Sequence, residues 1–314
     1  INANLLIGDK KIKTKIRILG DLKDHLRLPE TSLKVKVVDE SYFGVTRFNL
    51  FLPETRRGEN EVFWTLMLHT LKFPTLFTKM IEVNLNGNVY KAIFQEDATK
   101  EFLERNSLTE TVILKNNDYG FYLNEYEKNI YENIFSSSFV IDNNNFLKND
   151  TSNFIASEAI ALKANKNFKE LVFMEDFFVD IHEKFAKHGL AEINRKYIYI
   201  PYSKKFLPLY YDGNIQFLPG KTTCDSDIEI KILQNFQSNY FKLTNKKLSK
   251  MQKCVFKDIY KLYKTKSIKE SQKISFNSDK KKVEKYKNIK DEILIYLNNK
   301  NISKSSNFTT AQNK

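Results

Sequence analysis

The sequence predicts an α+β protein with two lobes: a small antiparallel sheet with one helix, then a mainly helical part that contains a β-hairpin. Several short runs in the first hundred residues alternate apolar and polar side chains, which is typical of half-buried strands. One run, 60–71, has the spacing of an amphipathic helix instead. Beyond residue 150 helical periodicity dominates, except for a strand–turn–strand pattern within 197–211.

The first 97 residues are predicted to form an antiparallel sheet. Its strands occupy residues 5–19, 32–38, 46–52, 80–85 and 89–95. Lys34 and Lys36 fall on one face of the second strand, because alternate residues of a strand point to the same side. Asn86-Gly87 is a strong hairpin signal between the last two strands, and Glu96 ends the last one. A polar loop, 20–25, separates the first two strands.

The helix predicted over 60–71 carries Glu61 in its first turn. A carboxylate is favourable at that end of the helix dipole, so Glu61 alone is typical of a helix start. Arg56 and Arg57 precede the helix, and we interpret them as surface charges, with binding of a substrate phosphate as the alternative. Trp64 is expected in the core.

The second part of the chain is predicted to be mainly helical, with an irregular insertion over 107–150. The helices cover residues 98–106, 154–166, 170–187, 228–243, 248–263 and, after a lysine-rich linker, 283–297. The expected organisation is a first lobe over 1–97, a second lobe over 98–264 and a basic helical extension over 265–314.

Three polar residues flank the predicted hairpin. His188 and Asn194 lie on the loop that enters it, and Asp212 follows its second strand, so the fold is expected to bring them together. A phosphotransfer site needs these kinds of group: one to orient the nucleophile, and an amide and a carboxylate as ligands of a divalent metal. Taken alone, Asp212-Gly213 is also a common turn dipeptide, and a histidine near a helix end is often a cap or a surface group.

Charge is unevenly distributed along the chain. Residues 1–225 contain 30 basic and 30 acidic side chains, whereas 226–314 contain 21 lysines and 8 acidic side chains, which accounts for the net charge of +13. A body that is neutral as a whole argues against a nucleic-acid-binding core, because phosphate contacts need concentrated positive charge. The basic extension is a candidate site for an acidic partner, and a solvated helix face is the alternative.

Cysteine usage and hydropathy exclude some further classes. Cys224 and Cys254 provide neither a disulfide framework nor a metal site, both of which need more ligands. No apolar run approaches the length of a transmembrane segment. The sequence begins at Ile1 rather than Met, so it leaves open an N-terminal signal or anchor, and both a cytoplasmic and a cell-envelope location.

Five sequence segments, in order between residues 16 and 216, resemble the CotH (spore coat protein H-like) family of atypical protein kinases. They are IRILGDLKDHL, SLKVKV, FNLFLPETRRGENEVF, VNLNGNVYKAIFQED and HGLAEINRKYIYIPYSKKFLPLYYDGN. The resemblance implies a two-lobed, protein-kinase-like fold. It also implies Mg²⁺-dependent transfer of the ATP γ-phosphate to a protein or another hydroxyl acceptor.

In the first lobe the resemblance implies roles for four features. Lys34, or alternatively Lys36, would reach the ATP phosphates, and Glu61 would be the ion-pair partner of that lysine. The loop 20–25 would cover the nucleotide, and Glu96 would lie at the connection between the lobes.

In the second lobe the resemblance implies that Asp212 and Asn194 bind the metal. Active family members have an aspartate as catalytic base with an asparagine five residues later, but here His188 occupies about that place and Asn194 follows six residues later. A neutral imidazole can accept a hydroxyl proton near pH 7. The same replacement is also what a catalytically impaired, kinase-fold scaffold in surface or coat assembly would show.

Overall fold

The computed structural model describes residues 1–20, 25–27, 29–116, 139–218, 220–222, 224 and 227–277. The chain divides into two units, Ile1–Tyr263 and Lys264–Lys314. Of the second unit, residues 264–277 are described, as the end of the last helix. The predicted helix 283–297 and the rest of the basic extension lie outside the described residues.

The first sheet has six antiparallel strands in the order β1-β2-β5-β6-β8-β7. Their bounds are β1 Asn2–Ile7, β2 Lys10–Ile18, β5 Leu33–Val37, β6 Arg47–Phe51, β7 Thr78–Leu85 and β8 Asn88–Glu96. A two-stranded ribbon, β3 Leu26–Arg27 and β4 Glu30–Thr31, connects β2 to β5. The strand predicted over 5–19 is thus a hairpin, turned at Gly8 with a φ of +56°. One face of the sheet is apolar and includes Val35, Phe48 and Phe94.

The second sheet has four strands in the order β10-β9-β11-β12 and contains the predicted hairpin. Its strands are β9 Ile113–Asn116, β10 Phe139–Ile141, β11 Lys196–Ile200 and β12 Lys205–Leu209. The prediction of an irregular insertion over 107–150 is therefore wrong at both of its described ends. Strands of three and four residues are too short to show a period of two, so the sequence pattern could not reveal them.

Helices make up most of the second half of the described chain. Their bounds are α1 Glu59–Thr70, α2 Lys100–Arg105, α3 Asp150–Lys163, α4 Phe168–Leu171, α5 Glu175–Phe185, α6 Ile230–Thr244 and α7 Lys250–Asn277. The predicted α+β class is confirmed. Two details are wrong: the helix predicted over 170–187 is interrupted at Met174, where φ is +48°, and α7 continues beyond residue 263 to Asn277, into the predicted linker. None of the described helices is both long and apolar enough to cross a bilayer.

Helix α1 is the centre of the largest apolar core. Phe63 and Trp64 are fully buried, as expected for Trp64, and pack with side chains of α5, α6 and α7. Phe236 of α6 stacks on Phe256 of α7 with a 4.0 Å centroid separation. A disulfide joins Cys224, in the segment after the hairpin, to Cys254 of α7. The sequence analysis gave these cysteines no such role, because the pairing depends on where α7 packs.

A buried histidine contacts Trp64 within this core. Trp64 Nε1 donates to His182 Nε2 at 3.2 Å, and His182 Nδ1 lies 2.6 Å from the Phe178 carbonyl oxygen. Since Nε2 accepts, the proton of the neutral ring is on Nδ1, which donates to Phe178. Burial lowers the pKa of His182 to about 3, so the imidazole is neutral in the folded protein.

We predict that His182 makes the fold acid-sensitive. The unfolded chain takes up a proton on His182 below pH 6.5 and the folded protein does not, so stability falls as the pH drops from about 6.5 towards 3. Between pH 8 and pH 5 this one group removes about 2 kcal/mol. Urea unfolding of the wild type and His182→Gln at both pH values measures the difference. If the two proteins lose stability in parallel, the assignment is wrong.

Candidate functional site

Asp212 lies at the exit of β12, in a turn with an uncommon backbone conformation. Its φ is +49°, in the left-handed region that non-glycine residues seldom occupy. The next residue is glycine because of close packing: a Cβ on Gly213 would lie 2.6 Å from the Tyr210 ring and 2.8 Å from Ile215. Asp212-Gly213 is therefore fixed by its surroundings rather than being a free surface turn.

The Asp212 carboxylate contacts two basic side chains, one from the turn before α1 and one from the loop before β11. Its Oδ1 lies 2.8 Å from Nη1 of Arg56, and its Oδ2 lies 3.7 Å from Nε2 of His188. Burial raises the pKa of Asp212, but the contact with His188 and the charge of Arg56 outweigh it and lower the pKa overall. In turn, the contact with Asp212 raises the pKa of His188, whose side chain is 48% exposed. The predicted meeting of His188 and Asp212 is thus present in the structure.

Asn194 joins this group through the backbone of His188. It is buried, and its Nδ2 donates to the His188 carbonyl oxygen at 3.0 Å, which leaves Oδ1 as the atom for a cation. The loop that carries these residues packs closely against the Asp212 turn, because a Cβ on Gly189 would lie 3.3 Å from Gly213 Cα. His188 and Asp212 therefore contact each other through their side chains, and Asn194 is tied to the backbone of His188.

Arg56 was interpreted as a surface charge, and that interpretation is wrong. The residue is 3% exposed and lies at the end of a 3₁₀ turn, Pro53–Arg56, between β6 and α1. Its guanidinium carbon is 4.1 Å from the centroid of the Phe51 ring and 4.8 Å from that of Tyr211. Nη2 also donates to the Tyr211 hydroxyl at 3.2 Å. The neighbouring Arg57 is exposed, as expected, and donates to Asn214.

Glu61 is fully buried on α1 and links that helix to the Asp212 turn. Oε2 accepts from the Tyr210 hydroxyl at 2.6 Å, and Oε1 accepts from Gln95 Nε2 at 3.0 Å. The Tyr210 hydroxyl in turn accepts from the Gly213 N–H at 2.9 Å. Burial raises the pKa of Glu61, whereas the charge of Arg56 lowers it, and the net shift is upward. A helix of the first lobe and the turn of the second are thus directly connected.

Lys34 lies in a row of polar residues that crosses the first sheet. Residues directly opposite on paired strands share a face, and the pairing gives the row Arg17, Lys34, Asn49, Gln95, Thr78. The Lys34 and Gln95 backbones are two strand spacings apart, or about 10 Å. Lys34 pairs with Asp97 at 2.6 Å, and Gln95 is the residue that contacts Glu61. The expected ion pair between Lys34 and Glu61 is therefore replaced by other partners in this structure.

A cavity of about 550 Å³ lies beside Lys34, between the two sheets. Lys34, Lys36 and Asp97 line it from the first sheet and its exit, and Asp142 and Asn144 line it from the side of the second sheet. Its volume is typical of a small-molecule site. Both candidate lysines thus face one cavity.

Lys196 connects this cavity to the Asp212 cluster. Its Nζ pairs with Asp142 at 2.7 Å and lies 4.3 Å from the centroid of the Tyr211 ring. Arg56 lies against the same Tyr211 ring and contacts Asp212. Charged and aromatic side chains therefore run without interruption from the cavity to Asp212. Lys196 and Tyr211 were not predicted as site residues, and phosphate binding was only the alternative interpretation of Arg56; the three-dimensional contacts identify all three.

Glu96 and the loop 20–25 have different surroundings. Glu96 is fully buried, accepts from the Phe77 N–H at 2.6 Å and pairs with Arg105 at 3.2 Å, so its carboxylate holds the connection after β8 in place. Burial raises the pKa of Glu96. Within the loop, 21–24 lie outside the described residues. His25 at its end lies beside Phe51, with 6.1 Å between the ring centroids.

We predict that Gly213→Ala destabilises the protein by about 1–3 kcal/mol, the usual range for overpacking. The new methyl group would clash with a buried ring that Glu61 holds in place. Gly189→Ala is the matched comparison, because its closest contacts, at 3.3 Å, require a smaller shift. Urea unfolding should therefore rank the wild type above Gly189→Ala and Gly189→Ala above Gly213→Ala. The reverse order would contradict the packing described for the turn.

We predict that Asp212 sets the ionisation of His188. In the wild type the pKa of His188 lies above 6.5, so the ion pair stabilises the fold below that pH and is lost as the pH rises through the raised pKa. In Asp212→Asn the pKa should fall back towards 6.5. NMR titration of the four histidine rings measures it, with His69 as the internal control, since burial and Lys72 set its pKa. An unchanged His188 pKa in the variant would rule out the pairing.

Comparison with known proteins adds no family assignment. A scan against protein-family models and a search of curated proteins both found no match to this chain. The functional argument therefore rests on the residues described above.

Proposed function

We propose that this chain is a CotH-like atypical kinase that transfers the ATP γ-phosphate to a hydroxyl group of a protein or of another acceptor, with Mg²⁺. One observation carries the proposal: an ionised, partly exposed carboxylate, Asp212, contacts Arg56 of the turn before α1 and is joined through side-chain contacts to the cavity beside Lys34. A two-lobed phosphotransferase needs a metal-binding carboxylate on one side of a cleft and cations for the phosphates on the other.

The residues around Asp212 fit a magnesium ion. Asp212 supplies a carboxylate whose pKa is lowered, so that it is ionised at neutral pH, and Asn194 supplies an amide oxygen. Mg²⁺ commonly takes one or two protein oxygens and completes its shell with phosphate and water. The described residues hold no cluster of three or more histidine, cysteine or acidic side chains suited to a metal, so a site made by protein ligands alone is not expected there. When bound, the ion would neutralise charge on the phosphates.

His188 is the group that would receive the acceptor's proton. In the proposed reaction the acceptor oxygen bonds to the γ-phosphorus, the bond from that phosphorus to the bridging oxygen breaks, and ADP leaves with the electron pair. The hydroxyl proton passes to the neutral His188 imidazole. Because Asp212 raises the pKa of His188, the fraction that is neutral near pH 7 is reduced, and transfer should speed up as the pH rises through that pKa.

The second candidate is a kinase-fold scaffold without transfer activity, used in surface or coat assembly. Two features favour it: a histidine occupies the place of the catalytic aspartate, and both Asp212 oxygens already face cations of the protein. Such a scaffold would transfer no phosphate, whether or not it binds nucleotide.

The experiment that tests the proposal follows ADP formation and phosphate incorporation, by intact-mass spectrometry, with Mg²⁺-ATP. We expect transfer by the wild type, its loss in Asp212→Ala, and a loss of at least about 100-fold in His188→Ala, the lower end of general-base contributions. Asp180→Asn is the matched control, an exposed carboxylate on α5 that should retain activity. Nucleotide binding without transfer in the wild type would favour the scaffold. If the wild type neither binds nucleotide nor transfers phosphate, the proposal that this chain is an enzyme is wrong.

A further inference from the structure

We propose that Arg56, rather than Lys34 or Lys36, is the cation that binds the phosphates of the nucleotide. This inference rests on the proposed function and gives Arg56 the nucleotide-phosphate role that the family resemblance assigns to Lys34 or Lys36; the sequence alone offered phosphate binding only as the alternative to a surface charge. It follows from the burial of Arg56, from its unused hydrogen-bond donors and from its distance to Asp212.

Arg56 is held in the site as a permanent positive charge. It is 3% exposed, lies against Phe51 and Tyr211, and is flanked by the carboxylates of Asp212 and Glu61. Burial lowers the pKa of Arg56, but Tyr211, Asp212 and Glu61 raise it by more. A buried guanidinium needs such surroundings, because leaving an unpaired charge out of water is very unfavourable. Nothing in the packing of α1 alone requires an arginine at this position.

The guanidinium has donors without an acceptor. Among the described residues, Nε and Nη1 of Arg56 are buried and make no hydrogen bond; the 2.8 Å contact of Nη1 with Asp212 is an ion pair without hydrogen-bond geometry. Buried N–H groups are nearly always paired in folded proteins, so Nε, which has neither a hydrogen bond nor an ion-pair contact among the described residues, indicates an acceptor that this part of the chain does not supply. A phosphate group offers several oxygens, and a guanidinium binds it in a bidentate manner.

Distance places Arg56 where the phosphates would lie. A metal ion held by Asp212 would contact phosphate oxygens on its other side. Arg56 is 2.8 Å from the same carboxylate, so its guanidinium is within reach of those oxygens. Asp212 would hold the metal ion, and Arg56, which contacts the same carboxylate, would donate to a phosphate oxygen of the bound nucleotide. Glu61 remains behind Arg56 to balance its charge.

Lys34 is less suited to this task. It is already paired with Asp97 at 2.6 Å, and Asn49 separates it in the polar row from Gln95, the residue that contacts Glu61. Lys34 and Lys36 line the neighbouring cavity instead, and that cavity would hold another part of the nucleotide.

Binding of Mg²⁺-ATP and of adenosine, measured by calorimetry, tests the inference. Adenosine lacks phosphates, so the ratio of the two affinities isolates the phosphate contribution from any general damage to the site. The variants are Arg56→Met, Arg56→Lys, which keeps the charge, Lys34→Met and the exposed neighbour Arg57→Met as the matched control. Circular dichroism and thermal melting verify that each variant is folded.

We expect Arg56→Met to weaken Mg²⁺-ATP binding by about 10- to 100-fold, the usual effect of losing charge-assisted hydrogen bonds, and to leave adenosine binding unchanged. Arg56→Lys should recover part of the loss, and Arg57→Met should resemble the wild type. Lys34→Met should leave the ratio of Mg²⁺-ATP to adenosine affinity unchanged, although its place in the cavity wall can change both affinities together. If Arg56→Met does not fold, Arg56→Lys still decides, because an ATP-to-adenosine ratio equal to that of the wild type overturns the inference.

Two other outcomes are also decisive. Equal losses for ATP and adenosine in the Arg56 variants would make Arg56 structural, and a loss of phosphate affinity confined to Lys34→Met would return the role to Lys34. Either result contradicts the inference and leaves the proposed function intact, since the wild type still binds nucleotide. Absence of Mg²⁺-ATP binding by the wild type would remove the proposed function itself, and the role of Arg56 with it.

Discussion

The charge balance around Arg56 is the constraint on which the site depends. A guanidinium and two carboxylates, those of Glu61 and Asp212, lie where α1 and the turn before it meet the exit of β12. Ionised groups out of water are tolerated only when they compensate one another. Each member comes from a different place in the chain: the turn before α1, α1 itself and the exit of β12. Removing one of them leaves the others uncompensated, so packing of the lobes and ionisation of the site cannot be separated.

This balance explains the backbone around the site. Arg56 ends a 3₁₀ turn that begins with Pro53, and Arg57 and Gly58 then take positive φ values before α1 starts. That turn directs one arginine inward and its neighbour outward. On the other side, Asp212 adopts a left-handed conformation that brings its carboxylate back towards Arg56. Unfavourable backbone conformations on both sides are thus compensated by one electrostatic contact.

Local sequence patterns predicted the parts of the site that depend on short-range geometry. The meeting of His188 and Asp212 follows from a hairpin, because a hairpin returns its second end to its first. That geometry was predictable from the strand–turn–strand pattern of residues 197–211. Helix α1 and the last hairpin of the first sheet were predictable for the same reason.

Contacts between distant segments were not predictable in this way. Arg56 and Tyr211 are 155 positions apart, and no periodicity near Arg56 distinguishes it from the exposed Arg57. The partner of Lys34 depends on strand register and on the direction taken by the chain after β8, which a single sequence does not encode locally. The pairing of Cys224 with Cys254 likewise depends on where α7 packs.

The hydrogen bond from the Gly213 N–H to the Tyr210 hydroxyl makes this backbone amide a probe of the contact between α1 and the Asp212 turn. That hydroxyl is itself anchored on Glu61, so the Gly213 N–H stays protected while α1 and the Asp212 turn remain in contact. Its hydrogen-exchange rate therefore follows the opening of this contact, without any ligand or assay of turnover.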